Sequence, residues 1–205
     1  MFLTFEGIEG SGKTTQLRRL AERIPNAIVT KEPGGTPTAD RIRAILLDPE
    51  SHLDRVAELF LFAASRRQHV VDLIRPALQR GQVVLCDRFT DSTLAYQGFG
   101  RVIDLDQLRT LNAWATDSLI PDLTLLFDLP EEVGLARARS RNAASTPHEG
   151  RFEAEDLRFH RRVREGYLAL AVAEPKRWVK IDADGTADEV FERMLAALSE
   201  RGVTF

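Results

Sequence analysis

The chain has one cysteine, Cys86, among 205 residues, and its apolar runs are all short. A single cysteine excludes an internal disulfide framework and is typical of a reducing compartment. Cys86 ends an apolar run, so we expect a small buried side chain there. A membrane-spanning helix needs about 18 consecutive apolar residues, and no apolar stretch of this sequence is that long. The N-terminal segment has the pattern of a strand followed by a glycine-rich loop, which argues against a removable signal peptide. We therefore expect a cytoplasmic protein with no membrane partner.

Charge of one sign is also lacking, since 28 Lys and Arg stand against 31 Asp and Glu, for a net charge of −3. This balance gives no reason to expect a nucleic-acid partner. No repeat or low-complexity linker divides the sequence, so we expect residues 1–205 to form a single α/β domain. The four histidines have no paired spacing typical of a metal site. We expect all four, His52, His69, His148 and His160, at the surface or in a mobile segment.

Short apolar runs alternate with helical patterns along the chain. Continuous rather than alternating apolar runs are typical of strands covered on both faces. The predicted strands are 1–5, 27–30, 83–86, 123–127 and 178–181, and helical patterns follow the first strand and cover about 37–47, 54–75, 105–115, 131–141, 154–172 and 186–200. Pro76 predicts a kink or break after the long helix. Strand–helix alternation indicates a parallel sheet wrapped by helices.

Residues 7–14, Gly-Ile-Glu-Gly-Ser-Gly-Lys-Thr, fit the pattern Gly-x-x-x-x-Gly-Lys-Ser/Thr between the first strand and a helix. A glycine-rich loop at a helix N-terminus aims backbone N–H groups at one phosphate chain. Lys13 would reach the β- and γ-phosphates of a triphosphate, and the Thr14 hydroxyl would bind Mg²⁺. The predicted nucleotide-binding residues here are Gly7, Ile8, Glu9, Gly10, Ser11, Gly12, Lys13, Thr14 and Thr15.

The third strand ends in Asp87-Arg88. Ligands of parallel sheets bind at the carboxyl ends of strands, so both side chains are expected to face the phosphate loop. Asp87 is a candidate for holding Mg²⁺ or its waters, and Arg88 can make paired hydrogen bonds to a phosphate. A surface ion pair between neighbours is the alternative.

Several further segments, taken together, resemble the motifs of bacterial-type thymidylate kinases. They are Lys-Glu-Pro-Gly-Gly-Thr at 31–36, Leu-Phe-Ala-Ala-Ser-Arg at 61–66, Asp-Arg-Phe-x-x-Ser-x-x-Ala-Tyr-Gln-Gly at 87–98, Pro-Asp-Leu-Thr at 121–124 and Arg-Phe-Glu at 151–153. With the phosphate loop they run from residue 3 to about 183. The resemblance implies a three-layer P-loop NTPase fold with a five-stranded parallel sheet of order 2-3-1-4-5. It also implies Mg²⁺- and ATP-dependent phosphorylation of dTMP to dTDP, and a homodimer for which helix 54–75 is the candidate surface.

The resemblance implies a role for most matched positions between about 31 and 101. Phe62 would stack on the thymine ring, and Arg66, one helical turn further, would bind its O4. Tyr96 would lie under the deoxyribose, while Arg43 and Arg88 would hold the acceptor phosphate. The implied acceptor-binding set, in which Thr93 and Gln97 face the base edge, is Glu32, Pro33, Arg43, Phe62, Arg66, Arg88, Ser92, Thr93, Tyr96 and Gln97.

Residues 137–151 begin as a basic helix and end in a polar stretch with Ser, Pro and Gly, which indicates a mobile lid over about 137–152. Some members of the resembled family carry an arginine inside the phosphate loop, where this chain has Glu9 and Ser11. Lid arginines would therefore supply the charge for transfer, and Arg137 and Asp182 would lie near ATP. The implied catalytic set is Lys13, Arg88, Arg141, Arg151 and Glu9, with Thr14 and Asp87 as metal ligands.

Two other functions remain open from the sequence. One is a kinase for another nucleoside monophosphate or a deoxynucleoside, because a methyl group in an apolar pocket discriminates by only about 1–3 kcal/mol. The other is a nucleotide-dependent switch that hydrolyses slowly and needs no acceptor. The sequence has no Asn-Lys-x-Asp run, which would specify guanine in such a switch.

Overall fold

A computed structural model describes residues 1–143, 151–152 and 154–204, and its centre is a parallel five-stranded sheet. The strands are β1 (Phe2–Glu6), β2 (Ile28–Lys31), β3 (Val84–Asp87), β4 (Leu123–Asp128) and β5 (Trp178–Asp182). Their order is β2-β3-β1-β4-β5, and every neighbouring pair is parallel. The predicted fold and strand order are thus confirmed.

Nine α-helices in the described residues surround the sheet. They are α1 (Lys13–Ala21), α2 (Pro37–Leu47), α3 (Arg55–His69), α4 (Arg75–Gln79), α5 (Thr90–Thr93), α6 (Leu105–Thr116), α7 (Glu131–Ala143), α8 (Leu157–Ala173) and α9 (Ala187–Glu200). Helix α8 begins three residues later than predicted because the Asp156 side chain caps it, accepting the Phe159 N–H at 2.7 Å.

Two π-helical segments change what the sequence predicted. Residues Val70–Ile74 form a π-helix that joins α3 to α4, so the chain continues as a helix through Pro76. A widened turn beside a proline leaves room for the proline ring, and the altered hydrogen-bond pattern there tolerates the absence of the proline N–H. Residues Leu94–Gly100 form a second π-helix directly after α5, so residues 90–100, which carry much of the family-like pattern, are helical.

Apolar side chains cover both faces of the sheet, as expected for continuous apolar strands. Helices α1 and α9 close one face and α6 and α8 contribute to the other, with the buried contacts Leu17, Leu20, Val190 and Met194 on the first and Leu108, Val163, Tyr167 and Leu170 on the second. Cys86 is buried in a third cluster, as predicted. No helix within the described ranges is both long and apolar enough to cross a membrane.

All five strands end in a charged residue at the same edge of the sheet. These residues are Glu6, Lys31, Asp87, Asp128 and Asp182. The carboxyl ends of parallel strands form the ligand edge of such a sheet, and here this polar edge lies where the phosphate loop leaves β1.

Candidate active site

The phosphate loop lies between the end of β1 and Lys13, the first residue of α1. Gly10 has φ 71°, and a Cβ there would lie 2.0 Å from the carbonyl oxygen of Gly134, so the loop requires glycine at this position. The Lys13 ammonium donates to the carbonyls of Gly7 at 3.0 Å and Ile8 at 2.9 Å. Burial lowers the pKa of Lys13 to about 8. The loop therefore holds its own cation over the position where phosphates would bind.

The two predicted metal ligands lie together. The Thr14 hydroxyl donates to a carboxylate oxygen of Asp87, although 73 positions separate them in the sequence. No cluster of three His, Cys, Asp or Glu side chains that could cage a metal occurs in the part of the chain that the structure covers. Mg²⁺ commonly binds through one or two protein oxygens, with waters and substrate phosphates completing its shell. A hydroxyl and a carboxylate beside a phosphate loop fit this ion.

Arg88 is the centre of a buried polar cluster directly after β3. Its Nη2 donates to Glu9 at 3.1 Å and to the Tyr96 hydroxyl at 3.0 Å, and its Nη1 donates to Ser92 at 3.2 Å and to the Tyr167 hydroxyl at 3.1 Å. Its backbone is left-handed, with φ 70°. Such a conformation in a non-glycine residue needs support from its surroundings, and these contacts aim the guanidinium at the phosphate loop.

Glu6 supports this cluster from below, a role that the sequence did not suggest. Its carboxylate accepts the Phe89 N–H at 2.8 Å, the Ser92 hydroxyl at 2.6 Å and the Tyr167 hydroxyl at 2.8 Å. Burial, with the nearby charge of Asp91, raises the pKa of Glu6 to about 7. The only available sequence signal was a charged residue at the end of a buried strand, one position before the glycine loop.

Glu9 joins the phosphate loop to this cluster. One oxygen accepts from Arg88 and from the Tyr96 hydroxyl at 2.5 Å, and the other lies 3.2 Å from Nδ1 of His160. Burial by itself would raise the pKa of Glu9, but the His160 contact and the charges of Arg88 and Lys13 outweigh it and hold that pKa well below its usual range. Glu9 is therefore an anion between the two halves of the site.

Arg66 is deeply buried on α3 and makes contacts on several sides. Its Nε donates to Glu32 at 2.7 Å, its Nη1 to Thr93 at 2.9 Å and to Asn112 at 2.7 Å, and its Nη2 to the Phe89 carbonyl at 3.1 Å. A guanidinium has five N–H bonds, so one N–H of Nη2 has no acceptor among the residues that the structure describes. Glu32 anchors this arginine; burial alone would raise the pKa of Glu32, but Arg66 lowers it.

Aromatic side chains border the same region. The Phe62 ring, half-buried on α3, lies 6.1 Å from that of Phe152, which in turn lies 5.6 Å from the Tyr96 ring. Gln97 follows Tyr96 in the π-helix and is buried. We call these residues, together with Arg66 and Thr93, which are joined by a hydrogen bond of 2.9 Å, the wall. That it forms a base pocket stays a prediction from the resemblance.

The predicted position of the histidines is wrong for two of the four. His69 is fully buried and contacts Thr30 at 2.7 Å and Glu32 at 3.1 Å, and His160 is fully buried beside Glu9. Both belong to polar contacts between distant segments, which the spacing of histidines cannot reveal. His52 is exposed, as expected, and His148 lies outside the described residues.

Three further predicted residues, Arg43, Arg137 and Thr15, are described by their own contacts or exposure. Arg43 donates to the Pro33 carbonyl at 2.8 Å. Arg137 contacts the segment after Asp182, donating to the Ala183 carbonyl at 3.2 Å. Thr15 is exposed in the first turn of α1.

The predicted lid is described only at its two ends. Arg151 donates to Glu58 at 2.7 Å and to the Leu46 carbonyl at 3.1 Å, which places it on the acceptor side. The backbone of Arg141 is part of α7, but its side chain lies outside the description, as do residues 144–150 and Glu153.

Comparison with known proteins shows the family to which this chain belongs. The family model for thymidylate kinase matches residues 5–194. The chain belongs to the thymidylate kinase family. Curated thymidylate kinases include that of Syntrophotalea carbinolica, 56% identical over 199 residues (94% of this chain and 92% of that protein). That of Geobacter sulfurreducens is 53% identical over 210 residues (98% and 99%).

A solved thymidylate kinase has the same fold. The crystal structure of the enzyme from Ehrlichia chaffeensis matches with a TM-score of 0.76 and 36% identity, over 97% of this chain and 98% of that one. Five residues that the sequence did not single out for this site contact the predicted residues: Glu6, Glu58, Asn112, His160 and Tyr167.

Proposed function

We propose that this chain, as one domain over 1–205, transfers the γ-phosphoryl group of ATP to the phosphate of dTMP, giving ADP and dTDP. Membership of the thymidylate kinase family supports this reaction. The observation that carries it is the contact between Glu9 and Arg88, because it joins the predicted phosphate loop to the arginine that would bind the acceptor phosphate. The product is a precursor of dTTP.

The acceptor phosphate needs no general base. Its second pKa is about 6, so the attacking oxygen is largely ionised at neutral pH. That oxygen forms a bond to the γ-phosphorus in line with the bond that breaks, and the electron pair leaves on the β-phosphate of ADP. The task of the protein is then to bring two polyanions together and to stabilise the charge that is shared during transfer.

Lys13, Arg88 and the lid arginines supply positive charge for that task. The Lys13 ammonium would exchange the loop carbonyls it now contacts for β- and γ-phosphate oxygens. Arg88, held in place by Ser92, Tyr96 and Tyr167, would hold the acceptor phosphate together with Arg43. Mg²⁺, when bound by Thr14 and Asp87, supplies charge neutralisation to the phosphate chain.

Acceptor dependence tests this function directly. We would measure ADP release with Mg-ATP and dTMP, dUMP, UMP, dCMP, AMP, dGMP or thymidine, with a blank that lacks an acceptor. Strong stimulation by dTMP above all the others is the expected result. If another acceptor stimulates ADP release more than dTMP does, the protein is still a kinase but the base-binding assignments are rejected. If ADP release is the same with and without an acceptor, a nucleotide-hydrolysing switch is favoured.

We also propose a cytoplasmic homodimer that uses the exposed side of α3. Val56, Phe60 and Val71, on α3 and the π-helix that follows it, are 51%, 58% and 45% exposed. Their spacing places an apolar stripe along one side of this long helix. Trp114 on α6, which packs against α3, is 77% exposed and extends the apolar surface.

A further inference from the structure

Two side-chain hydrogen bonds connect α3 with the helical run 90–100. Arg66 donates to the Thr93 hydroxyl at 2.9 Å, and Gln97 donates through Nε2 to Oε1 of Glu58 at 2.9 Å. Glu58, Phe62 and Arg66 follow one another at four-residue spacing and so lie on one face of α3. Thr93 and Gln97 are likewise one turn apart. The two bonds therefore lie at opposite ends of the wall that contains Phe62.

The hydrogen bond to Glu58 determines which way the Gln97 amide points. A carboxylate oxygen only accepts hydrogen bonds, so the opposite orientation would place the amide oxygen against it. Glu58 and Gln97 are 1% and 2% exposed, so water cannot compensate for that repulsion. Oε1 of Gln97 is thus directed away from Glu58, and in the described part of the chain it accepts no hydrogen bond.

Glu58 is itself held by two arginines. Arg151 lies 2.7 Å from its Oε2 and Arg101 lies 3.6 Å from the same atom. These guanidinium groups compensate the buried charge, while Arg101 also pairs with Glu155 at 2.6 Å. The carboxylate therefore has its second oxygen occupied, and its first remains available to Gln97.

We propose that Glu58 is a positioning residue that determines base specificity: it fixes Nε2 of Gln97, and so presents only the carbonyl of that amide to the acceptor base. This inference rests on the proposed function. Thymine and uracil present a ring N3–H donor beside the O4 carbonyl, whereas cytosine presents an unprotonated N3 beside an amino group. Oε1 of Gln97 matches the N3–H, and the remaining N–H of Arg66, which can only donate, matches the carbonyl. Both contacts oppose cytosine.

Substitution Glu58→Gln tests the proposal, because a neutral amide can donate or accept and so frees Gln97 to turn. We would measure kcat and KM for dTMP and dCMP at saturating ATP. The ratio of kcat/KM for dTMP to that for dCMP is expected to fall about tenfold or more. The change should appear mainly in KM, since Gln97 faces the base rather than the reacting phosphate. Glu155→Gln is the matched control: it alters the Arg101 pair, leaves the Gln97 contact intact and should preserve the ratio within about twofold.

A second variant covers the case in which Glu58→Gln does not fold, as judged by thermal melting. Gln97→Met removes the amide at similar side-chain length and leaves Glu58 with both arginines. It too should lower the ratio. An unchanged ratio in the folded variant, or an equal fall of kcat for both nucleotides, overturns the inference. If dTMP does not stimulate ADP release by the wild-type protein, the proposed function and the inference are rejected together. If the wild type does turn over dTMP but the folded variants have an unchanged ratio, only the inference is rejected.

Discussion

Nη2 of Arg88 lies 3.1 Å from Oε1 of Glu9, which joins the end of β3 to the phosphate loop. The Tyr96 hydroxyl bonds to both side chains. An acceptor phosphate that binds Arg88 therefore arrives beside the loop that holds the donor, and in competition with a carboxylate. In the proposed reaction, this pair would set the relative position of the two substrates.

Lys13→Met should abolish most of the transferase activity without unfolding the protein. The ammonium is the loop's own cation, and loss of one charge-stabilising donor typically lowers kcat by about 100-fold or more. Steady-state ADP release with ATP and dTMP measures this effect. Lys176→Met, at an exposed position after α8, is the control and should retain normal kcat. Comparable kcat in both variants would contradict the role of Lys13.

Arg66→Ala and its neighbour Arg67→Ala should differ sharply in stability. Arg66 is buried and pairs with buried Glu32, so its removal leaves an uncompensated charge and should cost about 3–5 kcal/mol of unfolding free energy. Arg67 is exposed, and its loss should change that free energy by less than about 0.5 kcal/mol. Urea unfolding followed by circular dichroism gives both values. Equal losses of unfolding free energy in the two variants would show that the buried contacts of Arg66 with Glu32, Thr93 and Asn112 do not stabilise the fold.

Glu6 should make stability depend on pH. Its carboxyl group ionises near 4.5 in the unfolded chain and near 7 in the folded protein, so the folded state binds the extra proton between these values. The free energy of unfolding should therefore fall as pH rises from about 4.5 to 7, by at most about 3 kcal/mol relative to Glu6→Gln. Urea titrations at pH 5 and pH 7.5 measure the difference. The control Glu192→Gln, at an exposed position, should show the same pH dependence of the unfolding free energy as the wild type. If Glu6→Gln also shows the wild-type pH dependence, the pKa of Glu6 is not raised in the folded protein.

Phe60→Glu should convert the proposed dimer to a monomer, because a charge in an apolar interface is left unpaired. Light scattering after gel filtration at micromolar concentration reports the mass. Val172→Glu, at an 81% exposed position on α8, is the control and should leave the oligomeric state unchanged. A dimer that survives Phe60→Glu would place the interface elsewhere.

Arg151→Ala and Arg141→Ala should each lower kcat by about 100-fold or more if lid arginines supply charge in transfer. Arg151 contacts Glu58 in the structure, so its part in transfer requires it to leave that partner. Arg158→Ala, exposed at the start of α8, should be neutral. Near-normal turnover in both lid variants would reject the assignment.

Local patterns along the chain were sufficient for the α/β class with a parallel sheet and for the position of the phosphate loop. Continuous apolar runs, the spacing of helical residues and the glycines of residues 7–14 are properties of short segments, and each constrains the backbone nearby. The strand order came from resemblance to a family and not from periodicity. The helical form of residues 90–100 was missed, because a π-helix there depends on packing against neighbouring helices.

The sequence by itself determined a nucleotide-binding α/β protein, because the loop and its flanking strand and helix are contiguous. Only the tertiary structure decided what lies beneath the site. Glu6 and Tyr167 are 161 positions apart, and Gln97 and Glu58 are 39 apart. His160 meets Glu9 only when α8 packs on the sheet. The burial and partners of such polar groups depend on which distant segments close over them, and no local pattern records that.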